Sequence, residues 1–190
     1  MPLSSLYVKI HCVKTAEAAG TERAGVERDE VDRILEDWKR ERPALDVSPL
    51  AVMSRLSRLA RRLERERQAV FSAHGLEAWG FDVLAALRRS GPPYELAPRE
   101  LLVQNLVSSG AMTHRIDRLE EAGLVARRPD PADRRGVLVR LSTAGRRKVD
   151  ACVSALAERE RELLHPLADA ERDALADLLR RLLLSLGGSS

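Results

Sequence analysis

Aromatic side chains are almost missing from this sequence: two phenylalanines, two tyrosines and two tryptophans in 190 residues. Packing therefore falls to leucine, valine and alanine, which suits a helix-rich fold. Cysteine is just as scarce, and Cys12 and Cys152 lie too far apart to suggest a disulfide framework or a metal site. His11, His74, His114 and His165 are equally dispersed, so no metal is expected. No Ser/His/Asp set, carboxylate pair or glycine-rich phosphate loop stands out, which leaves catalysis unsupported and no cofactor expected. No apolar run is long enough to span a bilayer. The opening MPLSSLYVKIHCVKTAEAAG has a lysine inside its apolar part and no signal-peptide order, so the reading is a cytoplasmic protein without a membrane partner. A charge surplus is nearly absent too, at +3 overall, although the isoelectric point is about 9.2. Any bias toward nucleic acid must therefore come from local clusters of arginine.

What remains is a chain that is 44% hydrophobic and 32% charged, long enough for one domain with an appendage. The first 25 residues carry little pattern, and AEAAGTERAG has linker chemistry. From Arg28 to Arg42 the pattern is amphipathic, with Val31, Ile34, Leu35 and Trp38 on one face, acids leading and bases following. Pro43 stops it. Ser48 as N-cap and Pro49 in the first turn open a second, long helix striped by Val52, Leu56, Leu59, Leu63 and Val70. It ends near His74-Gly75, and a third helix runs from about Glu77 to Arg89 before Ser90-Gly91-Pro92-Pro93 breaks it. Tyr94-Glu95-Leu96 reads as a short strand able to join a later hairpin.

The stretch from Leu101 to Ser142 is the most informative. It reads as two short helices, a turn, and a β-hairpin with a basic tip. In the second helix, about Ser109 to Glu121, Ala111 (or Met112), Ile116 and Leu119 recur at helical spacing. Thr113, His114, Arg115 and Arg118 then point away from the core, and Gly123 sits where a left-handed C-cap costs least. Leu124-Val125 starts one strand, PDPADRRG turns, and Val137 to Leu141 returns. A helix with polar tips beside a hairpin bearing arginines is suited to reading DNA. After the hairpin, a helix runs from Thr143 to about His165, and residues 169–186 form a last one whose leucine face is greasier than one contact requires. Long apolar helices at both ends suggest a homodimer, with recognition helices about 34 Å apart to match a pseudo-palindromic operator.

With DPADRRGVLVRLSTAG on the page, the chain resembles the MarR family of bacterial transcription regulators. The carrying residues are RIDRLEEAGLVARRPDPADRRGVLVRLSTAG, from Arg115 to Gly145, and the order of elements corresponds from roughly Pro49 to Leu186. The resemblance implies a mainly α fold with a small β-wing, built as a triangular homodimer of winged helix-turn-helix lobes. On that reading residues 1–27 are a disordered leader, 28–43 an extra N-terminal helix and 44–75 a dimerisation helix. Residues 76–142 form the DNA-binding lobe and 143–190 the C-terminal dimerisation helices. In the wing signature Asp133-Arg134-Arg135-Gly136, Arg135 is implied to enter the minor groove and Asp133 to brace the wing. The chain is also similar to the urate-responsive branch (HucR-, PecS- and MftR-like proteins). That likeness implies a ligand contact for Trp38, a charge-sensing role for Asp82, and further roles for Arg115 and Arg127, with an Asp82–Arg127 link passing the movement on.

Each assignment has a plainer reading. Thr113, His114, Arg115 and Arg118 alone would be a solvated helix face, but the neighbouring wing favours base or phosphate contact. Ser109 serves as an N-cap, a phosphate donor, or both. Arg134 reads as solvated or DNA-facing. Trp38 is a core anchor or a ligand contact, and Asp82 an exposed first-turn carboxylate or a sensor. Arg115 is claimed by both DNA and ligand. Cys152 reads as a buried small hydrophobe. The function expected is a DNA-binding repressor released by a small anion such as urate. The alternatives are a winged-helix protein-interaction module without DNA, or a regulator answering another aromatic or carboxylate ligand.

Overall fold

Small polar side chains set several of the helix starts, because each can accept a backbone N–H that the first turn leaves free. In the computed structural model, which describes residues 27–105, 108–133 and 136–187, Asp29 caps α1 (Glu30–Glu41) and Asp32 answers it in a reciprocal capping box. The chain divides into two compact units, Met1–Arg55 and Leu56–Ser190.

In the first unit, Arg55 is held by both acids of that box, with Nε on Asp29 at 2.8 Å and Nη2 on Asp32 at 2.7 Å. The guanidinium above all holds the Asp29 carboxyl below the usual range, and the Asp29 N–H followed by the same guanidinium does so for Asp32. Of the expected apolar face, Val31 is buried and Ile34 and Leu35 half-buried, whereas Trp38 is 44% exposed. Helix α2 (Ser48–Ala73) starts on Ser48 itself. The Asp46 carboxylate accepts from the Ser48 N–H at 2.9 Å, so the expected cap at Ser48 is taken over by a residue two earlier.

The second unit is a helical lobe around a three-stranded antiparallel sheet. Its elements are α3 (Ala78–Arg89), β1 (Glu95–Leu96), α4 (Pro98–Asn105), α5 (Ser109–Glu121), β2 (Val125–Pro129), β3 (Val137–Leu141), α6 (Thr143–Leu163) and α7 (Asp169–Gly187). The sheet order is β1-β3-β2, so the short strand read at Glu95-Leu96 does join the hairpin. Register pairs Val125 with Leu141 and Arg127 with Val139. Because strand side chains alternate, Val125, Val139 and Leu141 face the core, and Glu95, Ala126, Arg128 and Arg140 share the outer face. Val83, Leu84, Leu87, Leu101, Met112, Ile116, Val149 and Cys152 fill the centre. Phe71 and Phe81 stack at 4.6 Å between centroids. Crossed ion pairs, Arg67 with Glu160 and Arg159 with Glu66, join the end of α2 to α6.

Gly123 and Gly145 are among the glycines that the backbone requires. Gly123 follows α5 at φ 67°, the left-handed position that the sequence anticipates. Gly145, in the first turn of α6, lies so close to the turn before β2 that a Cβ would stand 2.1 Å from the Leu124 carbonyl oxygen. Helix α7 behaves differently from the rest: none of its residues is buried, and Leu178, Leu183, Leu184 and Leu186 are all more than half exposed. Among the described residues no helix is long and apolar enough to cross a membrane, and no cluster of three His, Cys, Asp or Glu could hold a metal ion.

Gly145→Ala therefore forces α6 away from the hairpin. The expected loss is about 1–3 kcal/mol of stability, the range for overpacking, read from the urea midpoint. An unshifted midpoint would contradict the close approach.

Candidate nucleic-acid interface and effector residues

On α5 the core positions are Met112, Ile116 and Leu119, so of the two candidates for the first apolar position it is Met112 that turns inward. The spacing fixes the opposite face, where Ser109, Thr113, His114 and Arg118 are exposed or partly exposed. Ser109 is not the N-cap. Ser108 is, its hydroxyl accepting from the Ala111 N–H, because Ser109 already has helical geometry and its carbonyl accepts from the Thr113 hydroxyl at 3.1 Å. Ser109 thus keeps its own hydroxyl on the exposed first turn.

Arg115 and Arg118 both lean toward the start of α3. The Arg118 guanidinium carbon sits 4.9 Å from the centroid of Trp79 and that of Arg115 at 6.0 Å, within cation–π range. Arg118 Nη2 also donates to Glu77 at 2.9 Å, and Glu77 accepts the Trp79 indole N–H on its other oxygen. Those two hydrogen bonds, the indole's first, hold the Glu77 carboxyl below its ordinary range.

Asp82 lies on the exposed side of α3. Desolvation by the surrounding protein pushes its carboxyl up, and the positive charges of Arg115 and Arg89 pull against that, with Glu64 adding to the rise and Arg67 opposing it. Asp82 and Arg115 are therefore electrostatic neighbours. The expected Asp82–Arg127 link is not formed. Arg127, on the core face of β2, bonds instead to Asp117 and Glu120 of α5, and Glu120 also accepts the Arg127 backbone N–H at 2.8 Å. The reason is local: the turn at Gly123 folds β2 back along α5, seven to ten residues away, before any contact with α3 is possible. That backbone hydrogen bond and the guanidinium hold the Glu120 carboxyl low.

The wing is braced at its tip by Asp130, whose N–H donates to Gly136 and whose carboxylate accepts from Ala132. Asp133 contributes its carbonyl, which accepts from the Gly136 N–H at 2.8 Å. Arg134 and Arg135 lie outside the described residues, as do residues 1–26 with Cys12. On the outer sheet face Glu95, its side chain only 5% exposed, takes Arg128, with Arg140 at 3.5 Å. A cavity of about 490 Å³ opens beside that face, lined by Tyr94, Arg140, Ser142, Thr143 and Arg146. Asp82, Arg115 and Arg127 are not among the residues that line it. Trp38 belongs to the first unit, where its carbonyl accepts the Arg42 N–H. Cys152 is buried and free, and desolvation pushes its thiol up.

Reading by sequence missed Glu77, Trp79, Asp117, Glu120, Glu95 and Asp130. Asp117 and Glu120 carried a signal, one helical turn apart and just before a strand arginine. Glu77 carried none, since its partner Arg118 is 41 residues away.

The sequence and fold are similar to those of known proteins. The model of the MarR family matches residues 74–136. The HTH-type transcriptional regulator PecS of Dickeya dadantii is 39% identical over 80% of this chain and 92% of its own length. A crystal structure of a mutant MarR from E. coli complexed with operator DNA superposes with a TM-score of 0.61, at 30% identity, over 73% of this chain and 96% of that one. Bordetella bronchiseptica BpsR, in a structure concerned with regulation of its DNA binding by 6-hydroxynicotinic acid, gives a TM-score of 0.53 at 31% identity over 67% of this chain and 98% of that one.

The environment of Asp82 has a measurable sign. Its folded pKa is raised, so the ionised form weighs against folding at neutral pH, and that penalty disappears as pH falls through the carboxylate range. Asp82→Asn is expected to melt slightly higher than the parent at pH 7 and to lose that advantage in acid. A lower melting temperature at pH 7 would show the arginines outweighing desolvation.

Proposed function

The chain belongs to the MarR family of DNA-binding transcription regulators, and we propose that it is a homodimeric repressor released from a pseudo-palindromic operator by a small anion such as urate. The observation that carries this reading is the lobe itself: an α5 face of Ser109, Thr113, His114 and Arg118 beside a wing tied to the same helix through Arg127. The exposed leucines of α7 support pairing with a second copy. We assign residues 76–142 to DNA binding, 44–75 and 143–190 to dimerisation, and 28–43 to the effector response.

In the mechanism, two recognition helices about 34 Å apart enter successive major grooves. Arg135 reaches the minor groove, where a narrow A·T-rich stretch concentrates negative potential and a guanidinium is less costly to desolvate than an ammonium. Arg134 adds positive charge at the wing tip and Asp133 braces the turn. The release step uses Asp82 and Arg115. An anion arriving near Asp82 competes with it for Arg115, and α5 shifts with the side chain it carries. A bias of about 1.4 kcal/mol toward the shifted state already weakens operator affinity tenfold. The likeness to the urate-responsive branch alone assigns Trp38 an aromatic contact for a planar ligand, and Arg127 keeps wing and helix moving together. The regulation of BpsR by 6-hydroxynicotinic acid supports a second ligand class beside the purines, the hydroxylated aromatic acids.

Two tests follow from these roles. In a gel shift on DNA upstream of its own gene, the protein should bind and urate should release it. Trp38→Ala and Asp82→Ala should bind as tightly as the parent but respond weakly; release by 6-hydroxynicotinate and not urate would decide for the second class, and release by neither would remove the anion reading. Arg135→Ala should weaken operator binding and lower the slope of log Kd against log salt by about one. An unchanged slope would take the wing arginine off the DNA.

A further inference from the structure

Glu77 occupies the N-cap position of α3 yet makes no side-chain cap bond. At that position serine, threonine, asparagine or aspartate would accept a free N–H of the first turn. Glu77 turns instead to the indole N–H of Trp79 and to Nη2 of Arg118 on α5. A residue that breaks a local rule with a tertiary contact in its place is a candidate for function.

The arrangement around Arg118 is specific. Its guanidinium lies over the indole at 4.9 Å, while one edge is fixed by a carboxylate that the same indole orients. Arg118 and Glu77 remain about half exposed, at 47% and 54%. An exposed ion pair alone contributes little stability, so stability gives weak grounds for the cluster. Its effect is on freedom. A long arginine side chain normally loses its rotamer freedom when it binds, and here that loss is already made. A guanidinium carries five N–H donors, and Nη2 is the one on Glu77, which leaves the opposite edge for an acceptor from outside.

We propose that Glu77 and Trp79 are positioning residues for DNA recognition, holding Arg118 in a cradle so that its free edge meets a backbone phosphate only when α5 is correctly seated in the groove. The proposal rests on the DNA-reading role of α5. The Glu77 charge has a second consequence. It cancels much of Arg118's long-range attraction for any polyanion, while the orientation it imposes favours the seated complex. The cradle thus raises the ratio of operator affinity to random-DNA affinity more than it raises affinity itself.

The test compares Glu77→Gln, Trp79→Phe, Arg118→Ala and the Glu77→Gln/Arg118→Ala double variant. Each is titrated against the duplex that the parent protects upstream of its own gene, and against a random duplex of equal length. Glu77→Gln should leave or raise random-DNA affinity while the operator-to-random ratio falls about fivefold to tenfold. Trp79→Phe keeps a ring but loses the N–H that orients Glu77, so its ratio should fall in the same direction. In the Arg118→Ala background, Glu77→Gln should change nothing further. Two results would overturn the cradle and leave the DNA role standing: a Glu77→Gln ratio equal to the parent's, or a fall of the same size without Arg118. A parent protein that binds neither duplex would overturn both.

Discussion

The clasp of Arg127 by Asp117 and Glu120 is the contact on which the DNA-reading geometry depends. On the proposed reading helix α5 and the wing must keep a fixed relation, since one is assigned to a major groove and the other to the neighbouring minor groove. Gly123 and the hairpin register bring the two elements alongside, but a turn alone leaves a hinge. A planar guanidinium with several donors closes it, bonding two carboxylates one helical turn apart, while the strand's own N–H goes to Glu120. On the other side Gly145 lets α6 approach the turn before β2 closely enough to hold its base.

The small net charge of +3 conceals a division of labour. Many arginines in the lobe are neutralised in place: Arg127 by α5, Arg128 by the nearly buried Glu95, Arg88 by Asp150, Arg159 by Glu66. These pairs fix the relations between elements. Charge used in this way fixes structure, so net charge is a poor guide to where a polyanion would be met.

The parts of the fold legible in the sequence are those set by short-range rules. Gly123 is readable because only a left-handed residue ends α5 there, and the hairpin because a polar turn separates two short strands of equal length. The α5 face follows from helical period, with Met112 in place of the equally spaced Ala111 as its one open choice. The cap slips by one residue because Ser108 and Ser109 are chemically equal and only the backbone distinguishes them. Side-chain partners across the lobe are not legible. Arg118 finds Glu77 over a separation of 41 residues, and Arg127 prefers two nearby acids to the distant Asp82. Charge attraction between distant segments has no periodicity, so beyond one helical turn a sequence shows which groups can pair and not which do.

That last substitution of partners changes how a signal can travel. A link from Asp82 to Arg127 would join α3 to the wing and leave the recognition helix to follow. Arg115 sits on the recognition helix itself, half-buried, between the field of Asp82 and the ring of Trp79. It is one helical turn from Arg118, over the same indole. On the proposed reading a change at Asp82 would reach α5 through Arg115, a side chain whose neighbour is the proposed phosphate contact, and the wing would follow because Arg127 is bound to α5. The proposed route is confined to one lobe. It needs only that α5 have two seatings against α3, with the proposed anion favouring one and the operator the other.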